Sequence, residues 1–339
     1  PHLSQNHATL DANKSKTKHD ILINKFKVHK NTKALSRPIY KGIHLITPKL
    51  VSKQSVEMPI PLKIAIIGAG PAGLAAAIEL KKQGINTVRV VERENVAGGV
   101  PRHSFHPGYG VRDLKRFISG PKYANTYIKK ALSAGVEINT NTTATNWISD
   151  YTLQLTSPAG LEAVSAKSII LATGARERSR SNRVVAGKRP AGIYTTGALQ
   201  QATYLENLSI GSKAVVVGTE HVSFSAIITL AHAGVKCVAV ITDKRKHETV
   251  PVLPRLLQLW YRFRLIKSAQ IIEVLGDKTV TGIRIEIAGR QSVINCDTIV
   301  FTGDWIPDHE LARKAGFEMD KKYKSPITNS DGQLAKPMI

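Results

Sequence analysis

The sequence predicts an α/β protein with two Rossmann-like dinucleotide-binding units, each followed by a small antiparallel β-meander. A strand, a glycine turn, a helix and a second strand begin at Leu62, and a similar pattern begins at Lys213, about 150 residues later. Each pattern is followed by short strands with alternating apolar residues. The length of 339 residues leaves room for about two domains.

The elements of the first unit follow from hydrophobic periodicity. Short apolar runs bounded by glycine or polar residues indicate strands, and apolar residues spaced three and four apart indicate helices. These patterns predict a strand at 62–67, a helix at 72–83, a strand at 87–92, a helix at 122–134, short alternating strands between 136 and 166, and a buried strand at 168–172.

The second unit repeats this order. It is predicted to contain a strand at 213–217, a turn from Gly218, a helix at 222–233, a strand at 236–241, a helix at 253–265, and strands at 270–275, 280–287 and 292–301. We expect a discontinuous first domain at 62–200 and 301–339, interrupted by a second domain at 201–300.

The composition is that of a globular protein with a strongly basic balance. Hydrophobic residues make up 42% and charged residues 22%, which excludes a wholly disordered or collagen-like chain. The net charge is +23, and no nucleic-acid-binding signature accompanies it. A generally basic surface is therefore favoured over a nucleic-acid partner. Residues 1–61 are predicted to be a basic, poorly ordered extension with a short strand near 21–28.

Cysteine usage favours a reducing cytoplasm. The chain has two cysteines, Cys237 and Cys296, too few and too far apart for a disulfide framework or a zinc site, so no metal is predicted. Each lies in a predicted strand, so both are interpreted as core thiols. The apolar stretch at 62–80 contains Lys63, Glu79 and several glycines and prolines, so no membrane span is predicted.

The first glycine turn carries the clearest binding signal. Gly68 permits a tight turn, Gly70 lets the backbone approach a pyrophosphate, and Gly73 lets the helix and strand pack closely. The helix N-terminus then offers unpaired N–H groups to phosphates. Glu92, at the end of the second strand, can accept adenosine ribose hydroxyls and would repel a 2′-phosphate. These residues are compatible with FAD or NAD and disfavour NADP at this turn.

Further motifs extend this pattern along the chain. Gly98-Gly99 allows the backbone to pass close to the far end of a long cofactor. Two similar runs, at 169–175 and 298–304, each contain Thr-Gly after a stretch of apolar residues. In this order, the motifs resemble the pyridine nucleotide-disulfide oxidoreductase family of flavoproteins, and the resemblance covers residues 62–339. The segments 99–103, 174–178 and 189–200 are similar to the FAD-binding subunits of opine, amine and hydrogen-cyanide-forming dehydrogenases.

The resemblance implies that the first unit binds FAD. It places the pyrophosphate on the glycine turn, the ribose on Glu92, the adenine against the backbone of Ala144 and the flavin near Arg102. The implied cofactor-binding residues are Gly68, Ala69, Gly70, Pro71, Ala72, Gly73, Glu92, Arg93, Gly98, Gly99, Val100, Arg102, Ala144, Ala172, Thr173, Gly174 and Asp304.

The chain departs from the family pattern in its redox cysteines and at its C-terminus. The Cys-x-x-Cys of the disulfide reductases is absent, so a relay from flavin to disulfide is excluded. The resemblance also implies a further strand and a Gly-Asp motif beyond Ile339, so the first domain is predicted to be truncated at its C-terminus, which puts stable retention of FAD in doubt.

The second turn departs from the glycine pattern. After Gly218, the second and third glycine positions are occupied by Glu220 and Ser223. A carboxylate at the first of these positions repels phosphate and fills space. Asp243 stands at the ribose-binding position and argues the other way. We therefore expect NAD(P) binding here to be doubtful and favour a structural second domain, with electrons leaving to a quinone, to oxygen or to a separate protein chain.

Candidate catalytic groups follow the second glycine pair. His103 and His106 are placed to approach the flavin, and a histidine can take a proton as hydride leaves an amine or alcohol. Structural or surface histidines are an equally good interpretation. Arg102, Arg176 and Arg178 can hold a substrate carboxylate or neutralise a flavin anion.

The favoured function is an FAD-binding oxidoreductase, or one subunit of a dehydrogenase, that accepts a hydride from a small amine, amino acid or hydroxy compound. The implied partners are this small-molecule substrate and a second dehydrogenase subunit or other electron acceptor. Two alternatives stay open. One is an NAD(P)H-dependent flavin reductase, and the other is a truncated, non-catalytic basic binding module.

Overall fold

The computed structural model describes residues 60–245 and 258–334. Within these ranges the strands, numbered in chain order, are β1 Ile60–Ile67, β2 Val88–Val91, β3 Pro107–Tyr109, β4 Ile118–Ser119, β5 Glu137–Asn139, β6 Thr143–Ser149, β7 Thr152–Ser157, β8 Gly160–Leu171, β9 Ala175–Glu177, β10 Ile193–Thr195, β11 Lys213–Val217, β12 Lys236–Ile241, β13 Arg264–Ile266, β14 Gln270–Gly276, β15 Val280–Ile287, β16 Arg290–Asn295, β17 Thr298–Phe301 and β18 Trp305–Pro307.

The helices whose bounds lie within the same ranges are α1 Pro71–Lys82, α2 Gly120–Ser133, α3 Thr196–Tyr204, α4 His221–His232 and α5 Glu310–Lys314, and residues 258–261 are also helical. Short 3-10 segments cover Val100–His103 and Ser181–Arg183. None of these helices is long and apolar enough to cross a membrane. The predicted strand at 21–28, and the predicted extension up to residue 59, lie outside the described residues.

The first sheet has the strand order β5-β2-β1-β8-β7-β6. Strand β1 pairs in parallel with β2 on one side and with β8 on the other, and β6, β7 and β8 form the predicted antiparallel meander. Helix α1 packs on this sheet through Leu74, which joins Ile66 and Val90 in one buried cluster. The carboxyl ends of β1 and β8 therefore lie side by side, next to the start of α1.

The second sheet is parallel throughout, with the order β10-β17-β11-β12-β13. Its α4 covers one face through Ile227 and Leu230, which pack with Val216 and Val300. An antiparallel meander, β14-β15-β16, packs near the other face, where Phe301 is fully buried. The α/β class with two Rossmann-like units and antiparallel meanders is confirmed.

Two short strands run between the sheets. Strand β9 pairs antiparallel with β18, so that Glu177 lies opposite Trp305. The predicted division into domains at residues 200 and 301 stays a prediction. Strand β10 precedes the first of these boundaries and pairs with β17 in the second sheet.

Two element predictions are wrong in part. The predicted strand at 292–301 is divided into β16 and β17, because the Asp297 carboxylate turns back to accept the Ser212 N–H at 2.9 Å. Cys296 therefore lies between strands. Of the predicted helix at 253–265, residues 253–257 lie outside the described residues, and residues 258–261 are helical as predicted. Its last residues belong to β13, where Leu265 pairs with Val240 of β12.

Candidate functional site

The first glycine turn joins the carboxyl ends of three strands. Gly68 directly follows β1, has a φ of +107°, and its N–H donates to Val91 O at 2.8 Å. A Cβ at this position would stand 2.3 Å from Ala172 O, which follows β8. Both the left-handed backbone and the close approach of Ala172 require glycine here.

Gly70 and Gly73 have opposite surroundings. A Cβ on Gly73 would stand 1.9 Å from Gly68 O, so this glycine lets α1 pack against the turn. A Cβ on Gly70 would meet no atom within 4 Å. Gly70 is the N-cap of α1, with no side-chain cap and with Pro71 in the first turn of the helix. The free N–H groups of the α1 N-terminus therefore face open space at Gly70.

Glu92 lies buried directly after β2 and contacts the same turn. Its Oε2 accepts the Ala69 N–H at 2.8 Å and its Oε1 accepts the Glu94 N–H at 2.9 Å. Each carboxylate oxygen retains acceptor capacity for a further donor. The Thr142 N–H donates to Glu92 O at 2.9 Å, which brings the start of β6, where Ala144 lies, close to this carboxylate.

The second glycine pair packs directly against the first turn. The Gly98 N–H donates to Ala69 O at 2.8 Å, and a Cβ on Gly99 would stand 2.9 Å from Gly70 Cα. The chain then enters the 3-10 segment in which Val100 is exposed. Arg102 in this segment lies 3.6 Å from the Glu94 carboxylate.

The Thr-Gly segment after β8 is tied to the chain that returns after β18. The Thr173 hydroxyl donates to Asp308 O, and the Asp308 N–H donates to Gly174 O at 2.9 Å. Arg93 Nη1 donates to Asp308 Oδ2 at 2.9 Å. These predicted residues are therefore brought together with the first turn. Asp304 instead lies beside β9, where its carboxylate pairs with Arg178 at 3.2 Å.

This arrangement fits FAD at the first sheet. Strand β1 leads through α1 to β2 on one side, while β8 lies on the other side, so the carboxyl ends of β1 and β8 border the switch point where parallel sheets bind ligands. The open face of Gly70 and the start of α1 provide a seat for a pyrophosphate. The Glu92 carboxylate accepts the N–H of Ala69, the residue before Gly70, so it would be available there to a ribose hydroxyl.

His103 is buried in contact with α3. Its Nδ1 lies 3.2 Å from Gln200 Oε1, and Gln200 Nε2 donates to Ser225 Oγ at 2.7 Å. An amide oxygen only accepts, so His103 Nδ1 carries the proton and Nε2 is left as an acceptor, with Gln201 Nε2 at 3.5 Å. Burial lowers the pKa of His103, which favours the neutral ring.

His106, the other predicted histidine, is placed differently. Its Nδ1 lies 2.8 Å from Pro107 O and therefore carries a proton, because a carbonyl only accepts. Its ring contacts Tyr109 at a centroid distance of 5.3 Å.

Glu177 is a buried acid that sequence reasoning missed. Its Oε2 accepts the Gly197 N–H at 2.8 Å and its Oε1 accepts the Gly303 N–H at 3.1 Å. Burial raises the pKa of this carboxyl, and the hydrogen bonds act in the opposite direction. In the sequence, Glu177 is an acid between Arg176 and Arg178, and nothing in this charged run indicates burial.

The second turn brings its predicted residues together but leaves no open face. Ser223 Oγ lies 3.0 Å from Glu220 Oε2, and a Cβ on Gly218 would stand 2.5 Å from the same oxygen. Asp243 is exposed beyond β12. The residues at this turn therefore do not fit a second dinucleotide.

The two cysteines are free and buried. Burial raises the pKa of Cys237 and that of Cys296 to about 12 in each case. Their burial confirms the interpretation as core thiols, and neither is in the thiolate form at neutral pH.

Comparison with known proteins agrees with this geometry. The family model described as pyridine nucleotide-disulphide oxidoreductase matches residues 62–339. An opine oxidase subunit of Agrobacterium tumefaciens (strain Ach5) is 22% identical over 306 residues, covering 81% of this chain and 59% of the relative. The alpha subunit of sarcosine oxidase from Rhizobium meliloti (strain 1021) is 24% identical over 267 residues, covering 75% and 25%. The chain thus spans about three fifths of the first relative and a quarter of the second.

The fold is also similar to that of solved structures. The thioredoxin reductase of T. acidophilum aligns with a TM-score of 0.67 at 21% identity, covering 82% of this chain and 88% of the reductase. This likeness concerns the fold alone. On the family match over residues 62–339, the chain belongs to the pyridine nucleotide-disulphide oxidoreductase family, a family of FAD-dependent oxidoreductases.

Proposed function

We propose that this chain is the FAD-binding part of a dehydrogenase that accepts a hydride from a small amine, amino acid or hydroxy compound. The observation that carries the proposal is the open space at Gly70, which lies between the carboxyl ends of β1 and β8 and beside the buried Glu92 carboxylate. It supports a chain whose role is to hold and orient an elongated cofactor.

Each part of the first turn has a separate role in this proposal. Gly68 and Gly73 close the turn tightly, and the N–H groups at the start of α1 hold the pyrophosphate. Glu92 accepts the ribose hydroxyls with the acceptor capacity that its two backbone donors leave free. FAD, when bound, supplies the two-electron acceptor for the hydride.

His103 is the residue proposed to take the proton. Its Nδ1 is fixed as a donor by Gln200, so its Nε2 is the basic atom, and burial keeps the ring neutral by lowering its pKa. A neutral imidazole accepts a proton as an amine or hydroxyl group is oxidised. His106 has the same tautomer, with its Nδ1 proton directed at Pro107 O, but its ring is half-buried rather than buried, so His103 is preferred.

The proposed substrate class and electron acceptor rest on the names of the relatives and on the burial of the two cysteines of this chain. The names opine oxidase and sarcosine oxidase indicate amino-acid-derived amines as substrates of those proteins, and both matching chains are subunits. We extend this to a small amine substrate and to a partner subunit that serves as electron acceptor. The buried Cys237 and Cys296 leave no dithiol to reduce, and they are consistent with a place in the reducing cytoplasm.

One observation favours a second candidate, an NAD(P)H-dependent flavin reductase. Asp243 stands exposed at the end of β12, where the acid that binds a nicotinamide dinucleotide ribose is found in such folds. Against this candidate stands the filled second turn at Glu220.

Rapid-mixing reduction of the flavin distinguishes the two candidates. Purified protein loaded with FAD is mixed without oxygen with sarcosine, an opine, a small 2-hydroxy acid or NADH, and the loss of flavin absorbance is followed. The proposal predicts reduction by at least one of the first three donors and a rate at least about a hundredfold lower for His103→Gln. The control is His106→Gln, with a rate close to that of the wild type. Reduction by NADH alone would reject the proposal in favour of the reductase.

A further inference from the structure

The second unit repeats the backbone of the first turn, but Glu220 stands at the position of Gly70. Gly70 and Glu220 are both N-cap residues of the helix after the first strand, with φ/ψ of −74°/−179° and −75°/170°. The N–H groups of Gly68 and Gly218 each donate at 2.8 Å to a carbonyl at the end of the adjacent strand. The two turns are thus equivalent in backbone geometry.

The crevice beside the second turn is also the switch point of its sheet. Strand β11 leads through α4 to β12 on one side, while β17 lies on the other side. The carboxyl ends of β11 and β17 therefore border the position at which a parallel sheet binds a nucleotide. In the first sheet, the corresponding crevice is open at Gly70.

The Glu220 carboxyl group fills this crevice. A Cβ on Gly218 would stand 2.5 Å from Glu220 Oε2, and one on Gly303 would stand 2.8 Å from Glu220 Cδ. The carboxyl therefore lies over both glycines instead of extending into solvent. Its Oε2 is 3.0 Å from Ser223 Oγ and 3.1 Å from Thr302 Oγ1, and these two residues are fully buried.

The negative charge of Glu220 also opposes the binding of a pyrophosphate, as its position in the crevice does. The Glu220 carboxylate belongs to the N-cap residue of α4 and adds a negative charge near the positive end of the helix dipole, although it accepts no N–H of the helix. Arg183 lies near Glu220, but its Nη2 is engaged by the carbonyls of Thr302 and Gly303 and its Nε by Arg178 O. An incoming pyrophosphate would meet a like charge.

We propose that the Glu220 carboxylate occupies the position that the pyrophosphate of a dinucleotide would take, and that it thereby prevents NAD(P) from binding to the second unit. This goes beyond the proposed function, because it identifies the residue that decides which class of redox partner the chain excludes. A redox partner other than NAD(P) would then bind elsewhere than at the second turn.

The test measures dinucleotide binding to the full chain. NADH and NADPH are titrated separately into the wild type, Glu220→Gly and Glu220→Gly/Ser223→Gly, and binding is followed by nicotinamide fluorescence. We expect the wild type not to saturate at the highest concentration used, and a glycine variant to reach half-saturation at a concentration at least about tenfold below it, because a like charge is removed. Asp243 remains available for the ribose. The control is Glu206→Gly, which removes an exposed acid that precedes β11, at the opposite edge of the sheet.

Two outcomes would overturn the proposal. One is saturable binding of NADH or NADPH to the wild type at micromolar concentration, and the other is no gain in any folded variant. If the glycine variants do not fold, Glu220→Gln removes the charge at nearly constant volume and is expected to show a smaller gain. FAD titration of the same proteins is expected to be unchanged, which separates this test from that of the first turn.

Discussion

Glu177 Oε1 accepts the backbone N–H of Gly303 at 3.1 Å, although 126 residues separate the two in the chain. The other carboxylate oxygen accepts the Gly197 N–H in the first turn of α3. One buried acid therefore connects β9 to the ends of β10 and β17. Because this carboxyl is buried in the native state, its titration should make the free energy of unfolding depend on pH.

Replacing Glu177 should change how stability depends on pH. Burial raises the pKa of this carboxyl above its value of 4.5 in the unfolded chain, so rising pH ionises the unfolded state first and the native state loses stability. Because Glu177→Gln does not titrate, the unfolding free energy of the wild type minus that of the variant should fall as pH rises from about 4.5 through the raised pKa. Urea unfolding of both proteins at a series of pH values measures this difference. A difference that does not change with pH would show that burial does not shift the pKa of Glu177.

Alanine substitutions at Gly73 and Gly70 should distinguish a glycine that the packing of the turn requires from one that leaves space for the cofactor. At Gly73 a Cβ would stand 1.9 Å from Gly68 O, so Gly73→Ala should lower the unfolding free energy by about 2 kcal/mol or more. At Gly70 a Cβ meets no atom within 4 Å, so Gly70→Ala should change it by less than about 0.5 kcal/mol. Urea unfolding of the FAD-free protein measures both, and equal losses would contradict the geometry of the turn.

The His103 ring should make the protein less stable in acid. Its pKa is lowered by burial, so on acidification the unfolded chain takes up the proton near pH 6.5 while the native ring stays neutral. The stability associated with the neutral ring is present above about pH 6.5 and is lost as pH falls below it. The stability advantage of the wild type over His103→Gln should therefore shrink between about pH 7.5 and about pH 5.5. Thermal unfolding of both proteins measures this, and an advantage that grew on acidification would show a raised pKa.

Arg180 organises the loop after β9. Its guanidinium is buried and donates to the carbonyls of Val185, Ala186, Gly187 and Lys188. Lysine keeps the charge but lacks the planar fork, so Arg180→Lys should lower the unfolding free energy by about 2–4 kcal/mol. It should also speed proteolytic cleavage in residues 181–188. Arg112→Lys, at an exposed position, is the control, and matching results for both variants would refute a structural role for Arg180.

The glycine turns could be predicted from the sequence because their signals are local. Gly68, Gly70 and Gly73 lie within six residues, between an apolar strand and a helix, and spacing alone indicates their packing. The substitution of Glu220 for the second glycine was also visible. The orientation of its carboxyl, over Gly303, depends on β17 and could not be predicted.

What could not be predicted depends on contacts distant in sequence. The division of the strand at 292–301 arises because Asp297 binds the backbone of Ser212, 85 residues earlier. The burial of Glu177 and the Nδ1 proton of His103 depend on residues of α3 and on Gly303, which follows β17. Periodicity reports which residues are apolar, but not which buried polar groups find a partner across the fold.

FAD binding by the full chain and by Gly70→Val is the most direct test of the first turn as a cofactor site. FAD is titrated into each purified protein, and quenching of flavin fluorescence is followed. We expect saturable binding of one FAD per chain to the wild type and its loss in the variant, with unfolding stability retained because the space beside Gly70 is open. Equal FAD binding by the two proteins, or none by the wild type, would contradict this assignment.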